Sequence, residues 1–499
     1  MVEFSISEVQ QLLATDELDS WRDPSTREAI QRARTKAFLL RQKKKRSIQN
    51  LHDGRKKRSA IANNRKVEKD ARKHIVNAKR RIAGKRNFDD VPRGALVAKM
   101  KQSILLGGLV PDRARRWRPI SKRLRTREST SVEAEDFCFL TNPVGTLRVL
   151  AEIASAETRY LSASIDFVDK HCKDIGPWLV LSAMRADMAP MFSGGRISNS
   201  MSKVISAVGL QKRLRFELEP TPDGHADVWA FPLRARRPAG TSTSESQHLD
   251  PQAAEKVGGD LCQAISAWLG ECVGQSLTTE GRRCVKKIVG ESLDNAERHS
   301  RREYENDGDW MITGFMARRE GPNGPLFRCQ LAFLSVGASI SETVQDAPKS
   351  TLDEMEQYVS MHQGANPNHS YAEQHLQTIF ALQDTVTRDH KAAGEGRGGT
   401  GFRDIICLFG DLAGSDATES DARISVVSGR TCLHIDHKHS DKARPMPGQR
   451  FNIWLNEAND ELQPPETHAV KELENDFCGT LISMGFTLDP DYLERTVNA

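Results

Sequence analysis

Between Arg22 and Arg127 the chain carries 35 lysines and arginines against 8 aspartates and glutamates. The runs include RQKKKR (41–46), GRKKR (54–58), AKRR (78–81) and RARRWRPISKRLRTR (113–127). The middle of this stretch, residues 25–88, reads as helical but holds few apolar residues at any period. A helix that is polar all round buries no face, so such a segment is solvated, disordered or bound to something. The remaining chain is the opposite, with 37 basic and 59 acidic residues. One reading of the basic stretch is binding to a nucleic-acid backbone, where lysine and arginine gain by releasing condensed counterions. The other is a solvated arm, or one docked on the acidic remainder. No motif for direct base reading occurs in it.

The chain's 499 residues accommodate about three domains. With 38% hydrophobic and 28% charged residues, and no run near the roughly 18 apolar residues of a membrane helix, a soluble protein without a membrane partner is expected. The start, MVEFSISEVQQ, has neither the basic nor the apolar part of a secretory signal, which points to a cytoplasmic location. Nine scattered cysteines without a CxxC pair argue against a disulfide framework or a structural zinc site.

Five regions are expected. Residues 1–130 form a basic, largely helical N-terminal region, with a short helix at 5–18. Residues 131–237 form a small α/β domain. In it FCFL (137–140), YLSASIDFV (160–168), RLRFEL (213–218) and VWAFPL (228–233) read as strands, and LRVLAEIASA (147–156) and SMSKVISAVG (200–209) as helices. A linker rich in Pro, Gly, Ser and Thr follows at 238–254. A larger α/β domain spans 255–456, and 457–499 reads as an acidic helical tail. The fold class is α/β (α+β).

The stretch LTTEGRRCVKKIVGESLDNAERHS reads as an amphipathic helix with Cys284, Ile288, Val289 and Leu293 on its core side. Glu291 and Asn295 are four residues apart and share one face. A carboxylate so placed can orient or deprotonate a water, and a carboxamide can ligate Mg²⁺ that also holds phosphates. The same spacing also occurs on ordinary solvated helix faces.

The segment ESLDNAERHS resembles the N-box of the GHKL ATPases, which include gyrase B subunits, mismatch-repair ATPases, heat-shock chaperones and histidine-kinase ATP domains. The resemblance covers residues 255–456. A strand hairpin follows in the family, matched by WMITGFMAR (310–318), a turn at GPNGP (321–325) and FRCQLAFLSVG (327–337). The family's D-x-G-x-G loop aligns with Ser335-Val336-Gly337-Ala338-Ser339-Ile340, where Gly337 and Ile340 match. Ser335 replaces the adenine-reading Asp, and Ser339 the second glycine. A lid between about residues 345 and 395 would precede the second glycine box, GEGRGGTGF (394–402), and its helix RDIICLFGDL (403–412). ARISVVSGRTCLHI (422–435) and PGQRFNIWLN (447–456) would close the sheet.

The resemblance implies ATP and Mg²⁺ as cofactors and an α/β sandwich of the Bergerat type. It implies Glu291 as general base and Asn295 as Mg²⁺ ligand, with Asp294 assisting as in some members. Ser335 and Gly337 would lie at the base-binding loop, and Gly398, Gly399, Thr400 and Gly401 at the phosphates. The implied activity is slow ATP hydrolysis that controls a nucleic-acid-containing partner of Arg22–Arg127. A protein partner and an ATP-dependent homodimer also remain open. The middle domain faintly resembles STAS domains in IDFVDKHCKDIGPWLVLSA (165–183), which keeps a serine/threonine kinase of the anti-sigma type as an alternative. A non-hydrolysing nucleotide-binding scaffold is another. His434, His437 and His439 with Asp436 can in principle hold a metal, but their place near a strand end reads as solvated.

Overall fold

The computed structural model describes residues 100–117, 130–160, 162–189, 191–218, 224–236, 254–299, 309–321, 324–364, 371–384, 386, 400–413, 422–443 and 451–488. The expected helix at 5–18, the basic stretch through residue 99 and the linker at 238–253 lie outside these residues.

The first described segment corrects the picture of one continuous basic arm. Helix α1 (Ile104–Leu109) is capped by Ser103 and buries Leu105, Leu106 and Leu109, and α2 (Arg113–Arg116) follows. Arg113 is 4% exposed, and its guanidinium donates to both oxygens of the buried Glu157, at 3.0 and 3.1 Å. Glu157 also accepts from the Ala189 N–H at 2.7 Å, so its charge is compensated twice. Residues 100–117 of the basic stretch are therefore part of the folded body.

A βαβαβ unit comes next: β1 (Thr130–Ala134), α3 (Pro143–Arg159), β2 (Ala163–Phe167), α4 (Gly176–Asp187) and β3 (Phe192–Arg196). Its three strands pair in parallel in the order β1-β2-β3. Asn142 caps α3 by accepting from Gly145 N–H, and Pro143 sits in the first turn, where its missing N–H costs nothing. The FCFL run is buried but is not a strand. Its Phe137, Cys138 and Phe139 N–H groups instead donate to Asp169, Thr146 and Asp174 side chains at 2.9, 2.9 and 2.7 Å, which replaces a ladder. Helices α5 (Asn199–Ala207) and α6 (Gln211–Leu214) follow. RLRFEL is likewise not a strand, because Arg215 adopts φ 59° and ends α6 with its N–H turned back to Gln211.

The second sheet is antiparallel throughout, in the order β4-β5-β6-β8-β7. Its members and their helices are β4 (Val228–Ala235), α7 (Ala254–Val273), α8 (Thr279–His299), β5 (Trp310–Gly321), β6 (Gly324–Val336), α9 (Ile340–Thr343), α10 (Lys349–His362), α11 (Glu373–Ala381), α12 (Thr400–Ala413), β7 (Arg423–Asp436), α13 (His437–Lys442) and β8 (Val470–Leu488). The mixed α/β class stands, with three corrections. VWAFPL pairs with β5, so the expected boundary at 237 cuts through a sheet. Residues 457–488 of the tail are not helical: β8 lies between β6 and β7, and its VKELEND start hides a strand whose later residues alternate Leu481, Ser483 with Ile482, Met484. FNIWLN (451–456), the described part of PGQRFNIWLN, is not the closing strand. The Gln383 side-chain amide occupies Ile453 instead, donating to its carbonyl at 2.8 Å and accepting from its N–H at 2.7 Å.

Both faces of this sheet are covered, which explains the nearly unbroken apolar run of β6. Phe327, Cys329, Leu331 and Phe333 face one core with α7, α8, α10, α11 and α12. Ala332 and Leu334 face another, shared with α1 and the βαβαβ unit. Met355, Tyr358, Val359, Leu376, Ile379 and Phe380 are buried in the helix-side core, so α10 and α11, which fall within the segment expected as a lid, are built into the body.

Candidate functional site

Helix α8 buries Val285, Ile288, Val289 and Leu293 against the sheet. Glu291 and Asn295 therefore fall on its outer side, with Glu291 half-buried and Asn295 exposed. Asp294 lies between them on the same helix. Helix α12 packs beside α8, and Thr400 and Gly401 are its first two residues. Gly398 and Gly399 lie outside the described residues.

Lys287 joins the two helices. Its ammonium lies 3.7 Å from Glu291 Oε1 and 2.6 Å from Asp404 Oδ2 on α12. Burial works against the lysine charge, but Asp404 and then Glu291 outweigh it and hold its pKa above the ordinary range. Arg403 continues the row, 3.4 Å from Asp404 and 3.5 Å from Asp384. This ladder of alternating charge runs along the edge between α8 and α12. It was not read from the sequence, although Lys287 and Glu291 stand at the i,i+4 spacing that brings such pairs together.

The turn after β6 departs from an open glycine loop. Gly337 takes φ 147° and its N–H donates to the Cys478 carbonyl at 3.3 Å. Ser339, buried, starts α9 in a capping box: its Oγ accepts from Glu342 N–H at 3.3 Å, and its own N–H donates to Glu342 Oε2 at 2.7 Å. The sequence signal was present as Ser339-x-x-Glu342. Ser339 thus caps a helix where a glycine would leave the turn bare.

Ser335 stands opposite Thr480 on β8, which stands opposite Ser428 on β7. Strand parity puts all three on the helix side of the sheet, at one end. Ser428 Oγ accepts from Ile340 N–H at 2.8 Å, donates to Gly479 O at 2.7 Å and lies 3.0 Å from Thr480 Oγ1. Gly479, at φ 135°, is required here, since a Cβ would sit 2.1 Å from the Ser335 carbonyl. A row of neutral hydroxyl residues thus crosses three strands at this end of the sheet.

The histidines are not solvated as expected. His434 is 7% exposed and its ring Nε2 lies 2.9 Å from the Phe139 carbonyl. Burial pulls its pKa down to about 4. His437 Nε2 lies 3.1 Å from Asp441, and His439 is buried.

No family model, curated protein or solved structure matches the chain. No helix among the described residues is long and apolar enough to cross a membrane.

Proposed function

We propose that the chain is a GHKL-type regulatory protein that binds Mg·ATP beside α8, the hydroxyl row and the start of α12. Its nucleotide state would control how the Arg22–Arg127 region engages a nucleic-acid-containing partner. One observation carries the reading: the Glu291–Asn295 face and the helix that follows the glycine-rich segment are neighbours, held by Lys287 between Glu291 and Asp404. The start of α12 offers unpaired N–H groups and a positive dipole end to phosphate. Asn295 is exposed, so its carboxamide oxygen is free to meet a hard cation, and the neutral hydroxyls suit hydrogen bonding to a purine edge. Mg²⁺ supplies charge neutralisation at the phosphates when it is bound. Glu291 then orients the attacking water.

Binding without turnover is a second reading, and Lys287 favours it. Its ammonium, 3.7 Å from Glu291 Oε1, competes with a water for that carboxylate oxygen. Calorimetry of Mg·ATP with the unaltered protein and with Asn295→Ala tests the site; equal binding by both would overturn it. If binding is lost in the variant, phosphate release with and without Glu291→Ala separates an ATPase from a scaffold. Label transferred from ATP to protein would indicate a kinase instead. The partner half fails if the protein binds neither DNA nor RNA at low salt, or binds without salt dependence.

A further inference from the structure

We propose that His439, Glu466 and His468 form a binding site for a divalent transition-metal ion, Zn²⁺ by the chemistry of its donors, separate from the nucleotide site. Glu466 Oε2 lies 3.5 Å from His439 Nε2 and 3.2 Å from His468 Nε2, and all three donor atoms fall within 4.8 Å of one another. Bond lengths near 2.0–2.1 Å in a tetrahedron put ligand atoms about 3.3 Å apart, so two of the three separations already match. The third closes by a small rotation of His468, whose side chain is 65% exposed. Two imidazoles and one carboxylate are the donor set of zinc sites that keep an open position for water or a further ligand.

The environment of His439 is what argues for an ion. Its buried Nδ1 makes no hydrogen bond but lies 2.8 Å from Asp436 Oδ1, within reach of the outer-carboxylate contact that fixes a metal-bound histidine. In the tautomer with its proton on Nδ1, Nε2 presents a lone pair to the Glu466 carboxylate oxygen 3.5 Å away. That contact is repulsive unless a second proton or a cation lies between. The residues are also held in advance by backbone bonds. His439 N–H donates to Asp436 at 3.0 Å, Glu466 N–H to Leu455 O at 2.8 Å, and Ala469 N–H to Glu466 O at 3.0 Å. The ion would fasten α13, which packs on α12, to the segment entering β8. It would thereby brace the helix whose start carries the proposed phosphate contacts.

The test is Zn²⁺ titration of the full chain by calorimetry, with Co²⁺ absorption as a second readout. The expected result is one equivalent bound, visible bands of four-coordinate Co²⁺ without thiolate charge transfer, and a melting temperature that rises with Zn²⁺ and falls with chelator. His468→Ala, at an exposed position that leaves folding intact, weakens binding at least tenfold. Asp436→Asn, which keeps the helix cap, weakens it about tenfold. His225→Ala, at an exposed histidine elsewhere, leaves it unchanged. Thiolate bands, equal loss in the His225 variant, or full binding by His468→Ala would each overturn the site and leave the cluster as a set of histidine–carboxylate ion pairs. The outcome does not depend on ATP binding, so it stands or falls apart from the nucleotide reading.

Discussion

The two faces of the five-stranded sheet are built for opposite ends. The face toward the βαβαβ unit is sealed by a continuous core that includes Trp178, Phe315, Leu334, Phe477 and Leu481. Polar pins cross it: Asp174 accepts from Ser483, Arg423 donates to the Leu140 carbonyl at 2.7 Å, and His434 meets Phe139. The helix face has an equally large core but leaves Glu291, Asn295 and Ser335 half-buried or exposed at its margin. These polar groups of the sealed face find their partners in the protein, whereas Asn295, at the margin of the other, is exposed. On the proposed reading, the difference separates residues that hold the fold from residues that serve a site.

Asp174→Ala attacks the sealed face most directly. Asp174 is fully buried and accepts from Phe139 N–H, Gly176 N–H and Ser483 Oγ. Removing its carboxylate leaves three donors without a partner, a loss of roughly 3–5 kcal/mol. Calorimetric melting should show one transition shifted as a whole. A separate low-temperature transition, with the rest of the chain unmoved, would mean that the two sheets fold independently after all.

His434 gives the next largest effect, and it depends on pH. The folded pKa falls from 6.5 to about 4, so the native ring stays neutral while the unfolded ring takes a proton. Its contribution is therefore complete above about pH 6.5, and it is lost progressively as the pH falls toward 4. At about 1.4 kcal/mol per pKa unit the full change is about 3 kcal/mol. Urea unfolding at pH 7 and pH 4.5 measures it, with His434→Gln as the reference that keeps a donor for Phe139. An identical pH dependence in the two proteins would show that His434 does not couple the faces.

The sequence made the helix face readable and hid the sealed one. The apolar stripe of α8 and the β5–β6 hairpin follow from local periodicity and turn residues, which need no tertiary information. The placement of VWAFPL does not. Its partner Trp310–Gly321 lies beyond a linker, and nothing local distinguishes an edge strand of one sheet from a strand of the other. Glu472, Glu474 and Asp476 made the start of β8 look like an acidic helix, because the charges lie on the strand's exposed positions. FCFL reads as a strand from its apolar run and PGQRFNIWLN from its place in the family order, yet side chains of Asp169, Asp174 and Gln383 take hydrogen bonds a ladder would have made. Ligands of the proposed metal site were legible only in part, since His439 stood out while Glu466 and His468 lie more than twenty residues away.

Asn295→Ala should leave stability within about 0.5 kcal/mol, because the side chain is exposed, while abolishing Mg·ATP binding. A melting shift as large as that of Asp174→Ala would place Asn295 with the fold-holding residues and remove the contrast between the faces.

The smallest structural change is Ser335→Asp, and it sharpens the comparison most. Ser335 is half-buried beside Thr480, so a carboxylate there keeps some water and costs on the order of 1 kcal/mol of stability. If the hydroxyl row faces a purine, the new acceptor should bind the adenine amino group and raise ATP affinity about tenfold, the scale of one charge-assisted hydrogen bond. GTP, which presents a carbonyl at that position, should gain nothing or lose affinity. Competition between the two nucleotides reads this directly. Equal changes for ATP and GTP would mean that the row does not face the base, and that Ser335, Thr480 and Ser428 serve to tie the turn after β6 to β7 and β8.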